Sequence, residues 1–486
     1  MKKGCQYILL FLVSFVFVTL FSRSTSFLYI FEGADPSIFK QMGQAVLNGK
    51  IMYIDYFDNK GCLLYFIHAF GLWLGGDMFL LLFQAISLFV TLLIWNQLLE
   101  LYRDRRSRRI CLIVALVMLC CFYGAGDQTQ EWCLPWISYP LLVFLRSYKS
   151  KTDLPLRHMF IIGLCFGVIT FIQVNNACAF LGFIAFLWIQ YLRKKEFKKL
   201  LSSVACFIAG WIIVAFMCLL YFYVKAGWYG IYEMVYATFL SNFEYLGTQR
   251  RRQWYYWLPY IMFLLSLLGL LVINTRKEKH LLIPSVISLV LFVVTFGKQC
   301  NSFYLIALIP LVVTMLVKFH FENFKKLKIG LTATALVCMV FMGSIVVFHV
   351  VNDLVLHNEK EVDIYEDFHR CVENIPVNER DSIYNYNLFW HGTSMMQHEG
   401  LLPSNRVLFT SLVFDLPTLK EEELSKPFMA PKWMLFSNEM KCYPDDIAFI
   451  QNNYDLCCEF HYDRVFLDKP RIGNEFQVYL YRRKSN

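Results

Sequence analysis

The sequence predicts an all-helical membrane domain followed by a soluble α/β domain. Of its 486 residues, 57% are hydrophobic and 17% are charged, whereas soluble domains have about 25% charged residues. Apolar runs of roughly 17–25 residues, long enough to cross the hydrocarbon of a bilayer, recur up to about residue 350. Later residues carry mixed charge and many Asn and Tyr. We therefore expect a polytopic transmembrane domain over residues 1–350 and a soluble domain over residues 351–486.

Basic clusters predict the topology. The chain starts with "MKKGCQYILLFLVSFVFVTLF", which has the lysines and apolar core of a signal peptide but no A-x-A-like cleavage site after them. We interpret it as an uncleaved first span, with a cleaved signal peptide as the alternative. Basic short loops stay in the cytoplasm, and their alternation with other loops predicts about eleven spans. The first external loop, residues 23–77, and the C-terminal domain then lie outside the cytoplasm, on a multi-pass protein of the inner (plasma) membrane.

The first external loop is unusually polar for so apolar a chain. It contains "EGADPSIFKQMGQAVLNGKIMYIDYFDNKG", with four acids and Lys60 among its charged residues. Apolar residues at near-helical spacing predict a helix that ends by Gly49. The following "CLLYFIHAFGLWLGG" is short for a span and rich in aromatic residues, which favours a helix at the membrane interface. The next span is then expected to start near Met78.

A polar site at the lipid–water boundary suits a lipid-linked anionic substrate. Cations bind a phosphate, and a carboxylate takes the proton of an attacking hydroxyl. The sequence has no G-x-x-x-x-G-K-[ST], H-E-x-x-H or G-x-S-x-G motif, so nucleotide hydrolysis at a P-loop, metalloprotease and serine hydrolase activities lack support. The formal charge of +9 does not indicate a nucleic-acid partner, because most basic residues lie in short loops between spans.

Three stretches resemble a known superfamily. The pattern Q-x-x-L-N-G-K-x-x-Y-x-D-Y-F-D-N-K-G-x-L-x-Y-F-I-x-A in the first loop, with an Asp shortly after the first span, is similar to GT-C polyprenyl-phosphate-dependent glycosyltransferases. "TQEWCLPWISYPLLVFL" and "KQCNSFYLIALIPLVV" also match short motifs of the superfamily. Bacterial aminoarabinose transferases and protein O-mannosyltransferase-like enzymes are nearest in pattern. The chain departs from them at Gly61, where relatives have proline, and keeps Tyr304 but not the histidine of the late motif.

The resemblance implies GT-C architecture and a role for each matching residue. Asp35 matches the general base on the acceptor hydroxyl, and Glu131 matches a second external acid that orients the acceptor or holds a cation. Lys60 matches a lysine that contacts the lipid phosphate. The candidate substrate-binding residues are Lys60, Arg250, Arg251, Arg252, Asp55, Asp58 and Tyr304. No cofactor is implied beyond a divalent cation, and no metal ligand is assigned.

Each candidate also has a plainer interpretation. Asp35 could cap a helix, and Asp55 and Asp58 could be turn residues. Lys60 could extend its ammonium group to the interface as interfacial lysines do, and Glu131 could simply favour a helix N-terminus. The arginine triplet at residues 250–252 could contact lipid headgroups. His68 is expected to be structural and Tyr304 to be a packing residue.

The predicted function is transfer of a sugar from a polyprenyl-phosphate-linked donor to a lipid, glycan or protein acceptor of the cell envelope. A polysaccharide polymerase or ligase is the first alternative, but such enzymes rely on arginines in large external loops and not on an Asp in the first loop. A transporter is the second, but it predicts charged or broken helices and an internal repeat, which the sequence lacks.

The C-terminal domain is predicted to combine strands and helices. "DSIYNYN", "KWMLFSN" and "EFQVYLYRR" favour strands because they are rich in β-branched and aromatic residues or alternate. "EEELSKPF" and "PDDIAFIQNNY" favour helix or loop. The domain has four cysteines, for which free thiols and one disulfide are both open, a disulfide being compatible with an extracytoplasmic domain.

Overall fold

The computed structural model describes residues 3–24, 34–124, 126–242, 244, 254–297, 301–317, 326–355, 359–386, 392–404, 406, 431–437, 444–463 and 475–484. Helices dominate the first 355 residues. They are α1 (Lys3–Phe21), α2 (Ala34–Leu47), α3 (Cys62–Gly75), α4 (Asp77–Glu100), α5 (Arg105–Phe122), α6 (Thr129–Ser150), α7 (Leu156–Gln173), α8 (Cys178–Arg193), α9 (Phe197–Val235), α10 (Trp254–Thr275), α11 (Lys279–Phe296), α12 (Ile309–Leu316) and α13 (Lys326–Val355).

Seven helical segments of the described chain are long and apolar enough to cross a membrane. They are Gly4–Phe21, Asp77–Glu100, Leu156–Arg193, Phe197–Leu240, Trp257–Thr275, Lys279–Phe296 and Leu327–Ser344. The segment Leu156–Arg193 contains both α7 and α8, joined by a short 3-10 turn. A polytopic helical protein is thus confirmed, while the expected number of about eleven spans is not.

The first loop folds largely as its sequence pattern predicts. Helix α2 buries Ile38, Met42 and Ala45, and the chain turns at Gly49, whose φ of 78° is in the left-handed region that favours glycine. Helix α3 has only 14 residues and exposes Trp73, as expected of an interfacial helix. The following helix, α4, begins at Asp77, next to the predicted position.

Small residues let two of the long helices approach closely. Helix α7 packs against α9, and a side-chain carbon on Gly163 would lie 2.1 Å from the carbonyl oxygen of Phe207. On α9, one on Gly210 would lie 2.1 Å from the carbonyl oxygen of Phe160. Glycine-mediated contact of this kind is a common way for membrane helices to pack.

Helix α9 breaks at Ala226 and Gly227, whose backbone dihedrals are not helical. After the break, Trp228 and Tyr232 are exposed, whereas Glu233 is buried. Exposed aromatic residues on one face and buried residues on the other suit a helix at the membrane interface. This part of α9 continues as a π-turn over Tyr236–Leu240.

The C-terminal part contains a four-stranded sheet. Its helices are α14 (Glu359–Glu373), α15 (Gly392–His398) and α16 (Pro444–Asn453), and its strands are β1 (Ile383–Tyr386), β2 (Trp433–Ser437), β3 (Tyr454–Asp463) and β4 (Glu475–Arg483). The strand order is β1-β2-β4-β3; β1 and β2 are parallel, and the other pairs are antiparallel.

Three of these strands, β1, β2 and β4, confirm the predicted ones, whereas β3 was not predicted. The helix α16 also agrees with its sequence pattern. A disulfide joins Cys371 on α14 to Cys458 on β3, which resolves the open question about these two cysteines. The boundary between residues 350 and 351 stays a prediction; α13 runs through it to Val355.

Candidate active site

The loop between α2 and α3 is held by a turn at Asp55. The backbone N–H of Ile51 donates to Asp55 Oδ2 at 2.6 Å, and the N–H of Asp55 donates back to the Ile51 carbonyl at 2.9 Å. Asp55 itself is exposed. The structure therefore gives Asp55 the turn role, and its predicted contact with substrate stays a prediction.

Asp58 and Lys60 lie at the end of the same loop and are firmly held. Asp58 is buried and accepts hydrogen bonds from the Tyr65 hydroxyl at 2.6 Å and the Asn59 N–H at 2.7 Å. Lys60 Nζ donates to Asn59 Oδ1 at 2.7 Å, and the Tyr53 hydroxyl donates to the Lys60 carbonyl at 2.8 Å. These bonds fix both the backbone and the ammonium group of Lys60.

Gly61 explains one departure from the GT-C motif. Its N–H donates to the Ile172 carbonyl at 2.9 Å, and a side-chain carbon here would lie 2.2 Å from the backbone of Phe171. Proline, which relatives have at this position, lacks the N–H and would collide with α7. The loop carrying Lys60 is thus joined to α7 in a way that requires glycine.

Asp35 lies in the first turn of α2 and is partly buried. Burial raises the pKa of the Asp35 carboxyl, the nearby Lys60 ammonium opposes this rise, and the Asp58 and Asp127 carboxylates add to it. The structure therefore brings three predicted candidates, Asp35, Asp58 and Lys60, into one electrostatic group. It also adds Asp127, which sequence reasoning missed.

Asp127 is fully buried and both of its oxygens are bonded. Oδ2 lies 2.8 Å from His68 Nε2, and Oδ1 accepts a hydrogen bond from Trp132 Nε1 at 2.7 Å. The other ring nitrogen of His68 lies 2.7 Å from the Leu64 carbonyl and must donate to it. A proton consequently lies between His68 and Asp127, and His68 has the structural role expected of it.

The only sequence signal for Asp127 was its position in the loop before α6, after "GAG" and four residues before Glu131. Its φ of 55° is left-handed, a conformation that Asp adopts more readily than most residues. Gly126 before it approaches α1, since a side-chain carbon there would lie 2.6 Å from Ser22. The loop is thereby packed against the end of the first helix.

Glu131 is the third residue of α6 and completes a capping box. Its Oε1 accepts a hydrogen bond from the Gln128 N–H at 3.3 Å, which is the local role that the sequence offered as an alternative. The side chain also lines a small cavity with Gln84, Ser87, Tyr123 and Trp132. Its predicted catalytic role stays a prediction.

The remaining candidates are less informative. Tyr304 is buried and stacks on Phe296 with ring centroids 4.6 Å apart, as expected of a packing residue. Arg250, Arg251 and Arg252 lie outside the described residues. In the described chain before them, Asn242 Nδ2 donates to the Asn59 carbonyl at 3.0 Å.

The arrangement favours proton abstraction beside a bound anion. A carboxylate whose pKa is raised is a stronger base than an ordinary one, and an ammonium group nearby can hold a phosphate. Within the ranges that the structure describes, no three His, Cys, Asp or Glu side chains are grouped as ligands of one metal ion.

Solved structures share this fold. The Archaeoglobus fulgidus oligosaccharyltransferase in its apo form is 11% identical, with a TM-score of 0.50 over 97% of this chain and 76% of that one. AglB from the same organism, in complex with an inhibitory peptide and a dolichol-phosphate, is 13% identical, with a TM-score of 0.50 over 97% and 75%. A third structure of the enzyme, tethered to an acceptor peptide, is 11% identical, with a TM-score of 0.50 over 90% and 70%.

Together with the seven candidate spans, these similarities define a membrane protein that shares the fold of an archaeal oligosaccharyltransferase. More particularly, the chain belongs to the family of the competence-induced protein Ccs4 N-terminal domain, whose sequence profile matches residues 2–355. No curated protein sequence matches the chain.

Proposed function

We propose that this protein is an integral membrane glycosyltransferase that moves a sugar from a polyprenyl-phosphate donor to an acceptor outside the cytoplasm. The observation that carries the proposal is the position of an acid and a held cation on adjoining elements: Asp35 lies in the first turn of α2, and Lys60, whose ammonium group interacts electrostatically with it, is fixed by Asn59 and Tyr53. The fold supports it, because the similar archaeal enzyme is an oligosaccharyltransferase. One of its structures is a complex with a dolichol-phosphate, which favours a lipid-linked donor here.

In the proposed reaction, an acceptor hydroxyl attacks the anomeric carbon of the donor sugar. The new bond joins the hydroxyl oxygen to the anomeric carbon, the bond from that carbon to the phosphate oxygen breaks, and the proton goes to Asp35. The polyprenyl phosphate leaves with the bonding electrons, and Lys60 compensates its charge. A single displacement of this kind inverts the configuration at the anomeric carbon.

The neighbouring carboxylate of Asp58 assists the same step. Glycosyl transfer passes through a transition state with positive charge on the sugar ring, and fixed negative groups stabilise such charge where it develops. Asp58 is buried and held by hydrogen bonds, so it needs no reorganisation during the reaction. Its proposed role is electrostatic, and Asp35 alone receives the proton. Asp127 is left out of this role, because the proton between it and His68 compensates its charge.

The disulfide supports a site outside the cytoplasm. Disulfides persist in oxidising compartments and are rare in the cytosol, and Cys371–Cys458 lies in the C-terminal part of the chain. This part also contacts the loop that carries Lys60, since the Phe57 N–H donates to the Arg406 carbonyl at 2.7 Å. The proposed active site and the C-terminal domain then share one side of the membrane.

The direct test uses the purified full-length protein in lipid nanodiscs. A panel of radiolabelled polyprenyl-phosphate sugars is incubated with a lipid extract of the cell envelope, and label in glycan, lipid and protein fractions is measured. Transfer that requires the lipid-linked donor and fails with Asp35→Asn supports the proposal. Absence of transfer from every donor, with net substrate flux in sealed liposomes instead, would favour a transporter. Chain extension that survives Asp35→Asn would favour a polymerase or ligase.

A further inference from the structure

A short segment of the C-terminal part, residues 401–404 and 406, contacts the two elements that carry Asp35 and Lys60. The Leu401 carbonyl accepts a hydrogen bond from Gln41 Nε2 on α2 at 3.3 Å. The Pro403 carbonyl accepts one from the Tyr56 hydroxyl in the first external loop at 2.7 Å. Leu402 is buried in the same apolar cluster as the membrane helices. The C-terminal part is therefore docked on the two elements that carry Asp35 and Lys60.

Arg406 makes the most extensive of these contacts. Its Nη2 lies 2.5 Å from Glu233 Oε2, on the interfacial part of α9. The same Nη2 and Nε donate to the Tyr53 carbonyl at 2.6 and 3.2 Å, and the guanidinium lies 5.8 Å from the centre of the Phe57 ring. The Arg406 and Glu233 side chains are only 11% and 9% exposed.

Tyr53 connects this contact to the phosphate-binding candidate. Arg406 bonds the carbonyl of Tyr53, and the hydroxyl of Tyr53 bonds the carbonyl of Lys60. Tyr53 is fully buried and has a left-handed backbone with φ of 69°, a conformation that non-glycine residues rarely adopt unless their surroundings hold them. The two hydrogen bonds from the Arg406 guanidinium to the Tyr53 carbonyl stabilise this conformation.

Asn59 is fixed from the same direction. Asn242, nine residues after Glu233, donates to the Asn59 carbonyl, while the side-chain oxygen of Asn59 accepts from Lys60 Nζ. The chain just after α9 thus contacts the Lys60 loop directly through Asn242, and α9 itself contacts it indirectly through Glu233 and Arg406.

We propose that Arg406 is a positioning residue that sets the place of Lys60, so that the C-terminal part completes the donor-phosphate site. This inference rests on the proposed function. Arg406 does not touch the reacting atoms; it acts through Tyr53 and the loop backbone. This position requires a guanidinium, because that planar group has several N–H donors and can bond a carboxylate and a backbone carbonyl at the same time.

The test compares donor kinetics of Arg406→Gln and Arg406→Lys with those of the wild type. Both variants are expected to raise the donor KM about tenfold with a smaller change in kcat, because a ground-state phosphate contact is misplaced. Arg370→Gln is the matched control, since Arg370 is an exposed arginine of the same domain, and its kinetics should match the wild type. Combined with Lys60→Ala, Arg406→Gln should have little additional effect, as expected of residues acting through one contact.

A second measurement does not depend on activity. Trypsin cleaves after Lys60 only when the loop opens, so Arg406→Gln should speed the appearance of a fragment starting at Gly61. Cleavage after the exposed Lys195 serves as the internal reference and should not change. An unchanged donor KM together with unchanged cleavage after Lys60 would overturn the proposal. Faster cleavage in a protein whose wild type transfers no sugar would support the contact and reject the proposed function.

Discussion

His68 Nε2 lies 2.8 Å from Asp127 Oδ2, although the two residues are 59 positions apart and both are fully buried. The bond joins α3 to the loop before α6, and Trp132 completes it from the other oxygen. We expect Asp127→Ala to lower the free energy of unfolding by about 3–5 kcal/mol, because His68 and Trp132 both lose a buried hydrogen-bond partner. Thermal denaturation in detergent measures the effect.

Asp55→Ala is the control for this prediction. Asp55 is exposed and bonds only its own turn in the described structure, so its loss should cost about 1 kcal/mol or less. Equal destabilisation by the two variants would contradict the structural importance of the His68–Asp127 pair.

Asp35→Asn should lower kcat by about 10²–10⁴-fold, the usual range for loss of a general base. Asparagine keeps the size of the side chain in the first turn of α2 but cannot take up the proton. Sugar transfer by purified protein measures the effect, with melting temperature as the check on folding. Asp58→Asn keeps the general base and should reduce kcat less; a dead Asp58→Asn beside an active Asp35→Asn would assign the base to Asp58.

The raised pKa of Asp35 predicts two pH effects. Transfer should fall with decreasing pH through a pKa above the ordinary value of about 3.9, as the base becomes protonated. The folded protein also holds this proton more tightly than the unfolded chain does. Protonation of Asp35 therefore stabilises the fold fully below a pH of about 4, and this stabilisation is lost as the pH rises through the pKa of Asp35 in the folded protein.

Asp35→Asn removes this pH-dependent loss of stability, because asparagine does not titrate. The difference in melting temperature between Asp35→Asn and wild type should therefore shift in favour of the variant as pH rises. A difference that is constant across the acidic range would show that burial does not perturb Asp35.

Lys60→Ala should raise the KM for the donor lipid more than it lowers kcat, because Lys60 is proposed to hold the phosphate in the ground state. Lys60→Arg should restore donor binding only in part, since a guanidinium differs in shape from an ammonium. Lys50→Ala, which changes an exposed lysine of the same loop, is the control for general loss of charge. An unchanged donor KM in Lys60→Ala would remove Lys60 from the site.

Cys457 tests the side of the membrane on which the C-terminal part lies. It is a free, exposed cysteine, so a membrane-impermeant maleimide should label it in intact spheroplasts. Peptide mass spectrometry identifies the labelled site, and Cys457→Ser provides the blank. Labelling of Cys457 only after lysis would place this part, and the proposed active site with it, in the cytoplasm.

Local patterns in the sequence were sufficient for much of this fold. The spacing of Ile38, Met42 and Ala45 predicted α2, and the alternation in "EFQVYLYRR" predicted β4, because helices and strands bury residues at periods that a short segment displays by itself. The same local reading nominated Asp35, Asp58 and Lys60, since acids and a lysine are conspicuous between apolar runs.

Contacts between distant segments were decided only by the tertiary structure. The sequence did not distinguish Asp127 from other loop residues, because its contacts with His68 and Trp132 form only in the tertiary structure. Likewise, Arg406 lies 173 residues from the Glu233 carboxylate that it bonds. No periodicity encodes such pairs, because they depend on how helices and the C-terminal part pack. The sequence by itself therefore determined elements whose periodicity is local, such as α2 and β4, while packing determined which distant residues come into contact.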